Sequence, residues 1–507
     1  MKRNEQKSAQ QIKLGTLTSY IGIAISIVTG LLYTPWMIRQ IGQSDYALYT
    51  LATSLITMFT IDFGMSAAVS RFVAKYNAEG KTEETNNFLG LVYKLYSAVS
   101  AIVFVALLVV FFFIDQIYAS LSPAELERFK VVYLIAGCYS VVSFPFVTFN
   151  GILNAYERFV ELKVCDLVNK VLTVLLIAGT LILGGNVYTL VAVNAIVGLA
   201  TIVVKFFIIR KNTDIKVNFR YFSKGKLKEI FGYSLWSTAG SVAHTYLINI
   251  TPSILAMVAN SVEVAVFGFA HSIGTYVYML AMGVDGFFLP KVSRMVADHN
   301  KPDDFLNLMV QVGRFQLYII GLITVGFLVV GRDFVLLLMG EQYESAYYCV
   351  IFYLIQSIIC HPQQIADTMV TAMNRVKERA LISIAAAVVN VGLSYIISRY
   401  WGAVGAYISI CMAILVRTLF MNILYKKKLK LKVGRFFLRC HLALLPAFAV
   451  AFVLSFFATS WLGNGSWMKL VAKVLIVCVM YAISAFFFGT NKEEKSLIQD
   501  VLHIRKK

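Results

Sequence analysis

The sequence predicts an all-α polytopic membrane protein of about fourteen transmembrane helices, arranged as two parallel six-helix lobes plus two C-terminal helices. Three observations predict it. Hydrophobic residues make up 59% of the 507, the mean hydropathy is +0.73, and long runs such as residues 102–114 and 171–183 are mainly apolar and carry no charge. A soluble chain would break them into amphipathic patterns, and a membrane barrel would alternate them with period two. Residues 62–74, DFGMSAAVSRFVA, recur as residues 285–297, DGFFLPKVSRMVA. Finally, most of the 46 Lys and Arg fall in alternate loops, as the positive-inside rule requires.

The repeat extends well beyond that stretch. Thr34-Pro35 corresponds to Thr251-Pro252, Lys94 to Arg314, Pro145 to Pro362, Ala155 to Ala372 and Arg158 to Arg375, each about 220 positions later. Gly185 pairs with Gly402 and Lys211 with Lys428 in the same register. The shift varies only where loops tolerate insertions. Six spans per half is an even number, so both copies enter the membrane in the same direction.

Spans are expected at residues 14–34, 46–66, 89–114, 130–150, 166–184 and 187–209 in the first half. The second half supplies 231–258, 264–289, 313–331, 345–372, 379–399 and 402–424, and 440–459 and 466–488 follow. The run beginning near residue 14 is too long for a signal-peptide core and lacks a small-residue cleavage site, so it reads as a retained first helix. Residues 1–211 are thus the N-terminal lobe and 212–230 a basic cytoplasmic linker with a short amphipathic surface helix. Residues 231–428 are the C-terminal lobe, and 429–507 are two further helices with a cytoplasmic tail. With the basic loops inside, both termini are cytoplasmic. The net charge of +19 is accounted for by orientation and attraction to anionic membrane lipids, with no nucleic-acid partner.

The chemistry-bearing residues point away from catalysis. There is no DxD, HExxH, P-loop or GxSxG, and no external loop is large enough to carry a catalytic domain. The seven cysteines lack metal-ligand or CxxC spacing, so no metal and no cofactor is expected. What remains is ionisable residues at membrane depth, which are costly and mark pathways. Arg417, Lys94 and Arg314 are candidate cavity cations that would favour an anionic cargo. Asp62, Asp285, Arg39, Arg71, His244 and Asp367 are candidates for gating or ion coupling. So are Asn249 and Pro252, because proline frees a backbone carbonyl and span seven is then the bending helix.

One N-terminal pattern carries a resemblance. Pro35-x-x-x-Arg39-x-Ile41-Gly42, then Tyr46, Tyr49, Asp62-Phe63-Gly64 and Arg71, resembles bacterial polysaccharide-unit flippases of the multidrug/oligosaccharidyl-lipid/polysaccharide exporter superfamily, with Ala47 where a glycine is usual. The resemblance implies a non-enzymatic flippase in the bacterial cytoplasmic membrane. It would carry undecaprenyl-diphosphate-linked oligosaccharide outward by alternating access, for O-antigen or capsule export. It also implies a coupling ion, proton or sodium, and polysaccharide polymerase machinery as a partner. An inside-negative potential would assist an anion leaving, by about 2.3 kcal/mol per charge per 100 mV. The alternatives are a lipid II flippase or multidrug extrusion antiporter of the same superfamily, or else a membrane polysaccharide polymerase.

Overall fold

A computed structural model describes residues 2–60, 62, 65–283, 288–491 and 494–496, and every regular element among them is helical. The principal helices of the first half are α1 (Lys2–Phe59), α2 (Met65–Ala78), α3 (Thr82–Phe112), α4 (Pro123–Ser143), α5 (Thr148–Ala155), α6 (Phe159–Ile182) and α7 (Val187–Asn212). Next come α8 (Lys224–Asn249), α9 (Thr251–Val258), α10 (Ser261–Met282), α11 (Phe288–Ala297) and α12 (Pro302–Met339). The chain continues with α13 (Ser345–Cys360), α14 (Gln364–Ala372), α15 (Val376–Lys428), α16 (Ala443–Ser460) and α17 (Trp467–Ser484).

Twelve helical stretches among the described residues are long and apolar enough to cross a bilayer. Two are broken inside. α1 is non-helical at Gly42 (φ 81°), and α15 at Trp401 and Gly402 (φ 51° at the glycine). Both glycines sit in left-handed backbone that a side chain disfavours. The second helical piece of α15 restarts under a cap, with Ala403 N–H donating to Glu263 Oε2 at 2.7 Å. Division at these two points gives the fourteen expected segments, and the protein is an all-α polytopic membrane protein.

Burial changes along single helices. On α3, Phe88, Leu89, Val92 and Tyr96 are buried with Val69 and Val73 of α2, Phe149, Ile152 and Leu153 of α5 and Ile209 of α7. Further along, Ile102, Val109 and Phe112 are exposed, Phe112 at 76%. Such apolar exposure is unfavourable in water and costs nothing against lipid tails, which is why this portion of α3 needs no protein neighbour.

The chain forms two compact units: Met1–Gly268 with Val376–Ile410, and Phe269–Arg375 with Cys411–Lys507. The internal repeat is visible in their backbones. After α5, Glu157 turns left-handed (φ 56°) and Arg158 N–H reaches back to Leu153 O; after α14, Asn374 (φ 55°) and Arg375 N–H to Val370 O do the same. The turns after α2 and α11 match too, through Gly80 (φ 66°) and His299 (φ 52°).

The linker differs from expectation. Instead of a surface helix within 212–230, residues 213–223 run without helix until α8 begins at Lys224. The backbone N–H of Lys216 donates to Asn86 Oδ1 (2.8 Å), that of Asn218 to Asn86 O (3.1 Å), and the Asn218 amide to Asn87 Oδ1 (2.7 Å). Donors held sideways by α3 are unavailable to a helical ladder.

Candidate functional site

The prolines inside the spans build the first part of the site. Proline at i leaves the carbonyl at i−4 without its helical donor. Pro145 frees Val141 O, and Ser100 Oγ on α3 donates to it at 2.7 Å. Pro362 frees Ile358 O, and His441 Nε2 donates to it at 3.0 Å. Each proline is the second residue of a tight turn, Phe144–Val147 or His361–Gln363, which leads into α5 or α14. Span seven breaks between α8 and α9. Around Pro252, Asn390 Nδ2 donates to Leu247 O at 2.7 Å, Ser54 Oγ donates to Asn249 O, and the Asn249 amide turns back to Thr245 O at 3.0 Å. Backbone bonds persist on either side of the bend, Ile250 N–H to Tyr246 O (3.2 Å) and Ile254 N–H to Ile250 O (3.1 Å), and these side chains reinforce it.

Charges at membrane depth gather beside those breaks. Asn150 and Asp367 occupy matching places after Pro145 and Pro362. In the first unit, Lys205 of α7 donates to Asn150 Oδ1 (3.0 Å) and Asp166 Oδ1 (2.9 Å). In the second, Arg417 of α15 stands 3.9 Å from Asp367 Oδ1. Each half thus brings a cation from its sixth span to the broken helix. Lys205 and Asp166 are not in the candidate set read from sequence. Both lie about two turns inside the basic ends of their helices, where snorkelling is the default reading. Their signal was the matching place of Asn150 and Asp367.

Lys94 and Arg314 are engaged locally. Lys94 Nζ donates to Tyr221 O at 3.1 Å and lies over the Phe222 ring. Arg314, 3% exposed, forks onto Glu494 (2.6 and 2.7 Å) and donates to Arg439 O, Gly489 O and Tyr318 Oη. Burial alone would raise the Glu494 pKa, but hydrogen bonds from Arg314, Asn491 N–H and Tyr318 hold it below the usual glutamate value.

Asp62 accepts from Ser66 N–H (3.0 Å) and Ser66 Oγ (2.8 Å) at the start of α2, while Tyr96 Oη donates to its carbonyl at 2.9 Å. Asp285 lies outside the described residues. Arg39, three residues before the Gly42 break, Arg71 on α2 and His244 on α8 are all exposed. No group of three or more His, Cys, Asp or Glu among the described residues could hold a metal ion.

Fourteen helical segments, proline breaks with captured carbonyls, and cations held beside those breaks define a class: a multi-pass membrane transporter. Residues 14–296 match the family model described as "Polysaccharide biosynthesis protein", and the chain belongs to that family. Its fold is similar to that of the lipid II flippase MurJ in an inward closed conformation, with TM-score 0.73 and 14% identity, covering 96% of this chain and 100% of that one. It is also similar to an inward-facing multidrug resistance MATE family transporter of the MOP superfamily (TM-score 0.61, 14% identity, 82% and 96% covered). A MOP superfamily transporter from Pyrococcus furiosus gives TM-score 0.56 at 13% identity, with 84% and 96% covered. No curated protein matches the sequence.

Proposed function

We propose that the protein is a flippase that moves an undecaprenyl-diphosphate-linked oligosaccharide unit from the inner to the outer leaflet of a bacterial cytoplasmic membrane. The family match across residues 14–296 carries this reading. The basic loops and both termini are cytoplasmic in this reading, following the positive-inside rule. Transport proceeds by alternating access, with span seven bending at Asn249 and Pro252, where side chains reinforce the interrupted ladder. Arg417, beside Asp367, is the cargo contact of the second unit, and Lys205, beside Asp166, is its counterpart in the first. Lys94 and Arg314 hold the segments that follow each lobe. Coupling to an ion gradient and hand-over to polymerase machinery belong to the same reading.

Lipid II as cargo is the second reading, favoured by the full-length likeness to MurJ. Deletion of the gene in its source separates the two. Loss of surface polysaccharide, with lipid-linked units accumulating inside and growth retained, is expected. Rescue of a strain depleted of its lipid II flippase would support the second reading against the first. In the glycan assay Arg417→Ala should lower export about tenfold, and Arg417→Lys should restore part of it, keeping charge but losing the fork.

A further inference from the structure

Within the second unit three neighbouring side-chain pairs join α10, the Pro362 turn, α14 and α15. The Tyr278 ring meets the His361 ring edge-on, with centroids 5.4 Å apart and planes at 68°. Cys360, next to His361, lies 3.0 Å from Thr418 Oγ1, next to Arg417. Arg417 in turn reaches toward Asp367 on α14, two turns beyond His361. Tyr278 is 47% exposed and the Arg417 and Asp367 side chains are 21% and 24% exposed, while His361 Nε2 and Asp367 Oδ1 are buried. Turned toward lipid tails, a partly exposed charged pair would be costly, so this face suits a polar occupant.

Resting on the glycan-carrier reading above, we propose that Tyr278, His361, Asp367 and Arg417 form a carbohydrate subsite that reads the sugar of the cargo rather than its diphosphate. The charge balance decides between the two. A carboxylate about 4 Å from the guanidinium cancels much of its field and repels phosphate. Sugar hydroxyls both donate and accept, so a carboxylate that accepts beside a guanidinium that donates satisfies one diol from two sides. The apolar C–H face of a pyranose stacks on an open aromatic ring, which Tyr278 supplies. The related group in the first unit, Lys205 with Asn150 and Asp166, is placed at the matching break and has a lysine point charge in place of the fork.

The test is binding to the full chain in nanodiscs. The two probes are sugar-free undecaprenyl diphosphate and the undecaprenyl-diphosphate-linked oligosaccharide pool extracted from the source cells. Wild type should bind the glycosylated probe about tenfold more tightly, as a site built for hydroxyls discriminates against a ligand lacking them. Tyr278→Leu should remove most of that preference while leaving sugar-free affinity within about twofold, and Asp367→Asn should remove it while raising sugar-free affinity, because the guanidinium beside it is no longer cancelled. Tyr278→Phe keeps the ring and should keep the preference, and unchanged melting shows that each variant is folded. Equal wild-type affinity for the two probes, or an undiminished preference in Tyr278→Leu and Asp367→Asn, overturns the subsite and leaves the cargo reading standing. Equal loss for both probes in the variants overturns it in favour of a phosphate or packing role. Wild type binding neither probe overturns the cargo reading, and the subsite with it.

Discussion

Lys94 and Arg314 occupy the same place in the two halves and hold the same kind of partner differently. Each donates to a main-chain carbonyl in the basic segment that follows its lobe: Tyr221 O for Lys94, Arg439 O for Arg314. The two acceptors are themselves about 220 positions apart, so the contact is part of the repeat. The difference lies in what else arrives. Lys94 keeps one such bond and an aromatic ring, whereas Arg314 also ties Gly489 O, at the end of the last span, and Glu494 beyond it. A point charge suits one carbonyl; a planar fork with five donors can fasten several segments at once. The additional C-terminal helices in the second half therefore come with an arginine where the first half has a lysine.

The largest expected effect breaks that fork. Glu494→Ala leaves a buried guanidinium without its carboxylate and should destabilise the protein by about 3 kcal/mol. Glu494→Gln should cost less, because the hydrogen-bonding shape survives. Thermal unfolding in detergent measures both. The pH dependence follows from the sign of the shift. Glu494 has its pKa lowered in the folded state, so its stabilisation is complete above the unfolded value near 4.5 and is lost as pH falls through the lower folded value. Wild type should therefore lose stability below about pH 4.5 more steeply than Glu494→Gln. Parallel profiles would remove the fork from the list of stabilising contacts.

The intermediate effect concerns Lys94. Lys94→Ala removes one bond to the linker and a cation–ring contact, while Asn86 and Asn87 still hold Lys216 and Asn218. A cost of about 1 kcal/mol is expected, seen as faster amide exchange in residues 213–223 with little change in melting. A melting loss as large as that of Glu494→Ala would mean that the two equivalent cations do the same work, and the contrast between them would fail.

Much of this fold is legible in the sequence because lipid imposes one-dimensional rules. Long apolar runs, basic loops and a shifted repeat give the span count, and Gly42 and Gly402 stand where two long helices break. Pro145, Pro252 and Pro362 announce their breaks as well, since the missing donor is a local property. The partners are not local. Ser100, His441 and Asn390 reach their carbonyls from other spans, and no periodicity reports which hydroxyl, imidazole or amide faces which break. The same holds for Arg314: its membrane depth and its equivalence to Lys94 could be read, but Glu494 comes from 180 residues away. For the linker, a basic composition suggested a helix, yet Asn86 and Asn87 claim its backbone donors. Of the candidate site, Arg417 and Asp367 were each visible as charges, and their proximity only in three dimensions.

The smallest expected effect tests whether the captured carbonyls are equivalent between halves. Ser100→Ala leaves Val141 O without its side-chain donor, and the hydroxyl it removes is itself buried. A carbonyl has two lone pairs and tolerates partial satisfaction better than an orphaned N–H, so the loss should be about 0.5–1 kcal/mol. Pro145→Ala restores the helical N–H at that break and gives Val141 O a donor of its own. In the Pro145→Ala background, Ser100→Ala should therefore cost measurably less than in wild type, and the double-mutant cycle reports the difference. The second half predicts the same coupling between His441→Ala and Pro362→Ala, through Ile358 O. With destabilisation counted as positive, the double mutant's cost minus the two single costs should be negative in both halves. A coupling in the second half alone would assign Ser100 to ordinary packing and confine proline-carbonyl capture to the half that carries the arginine fork.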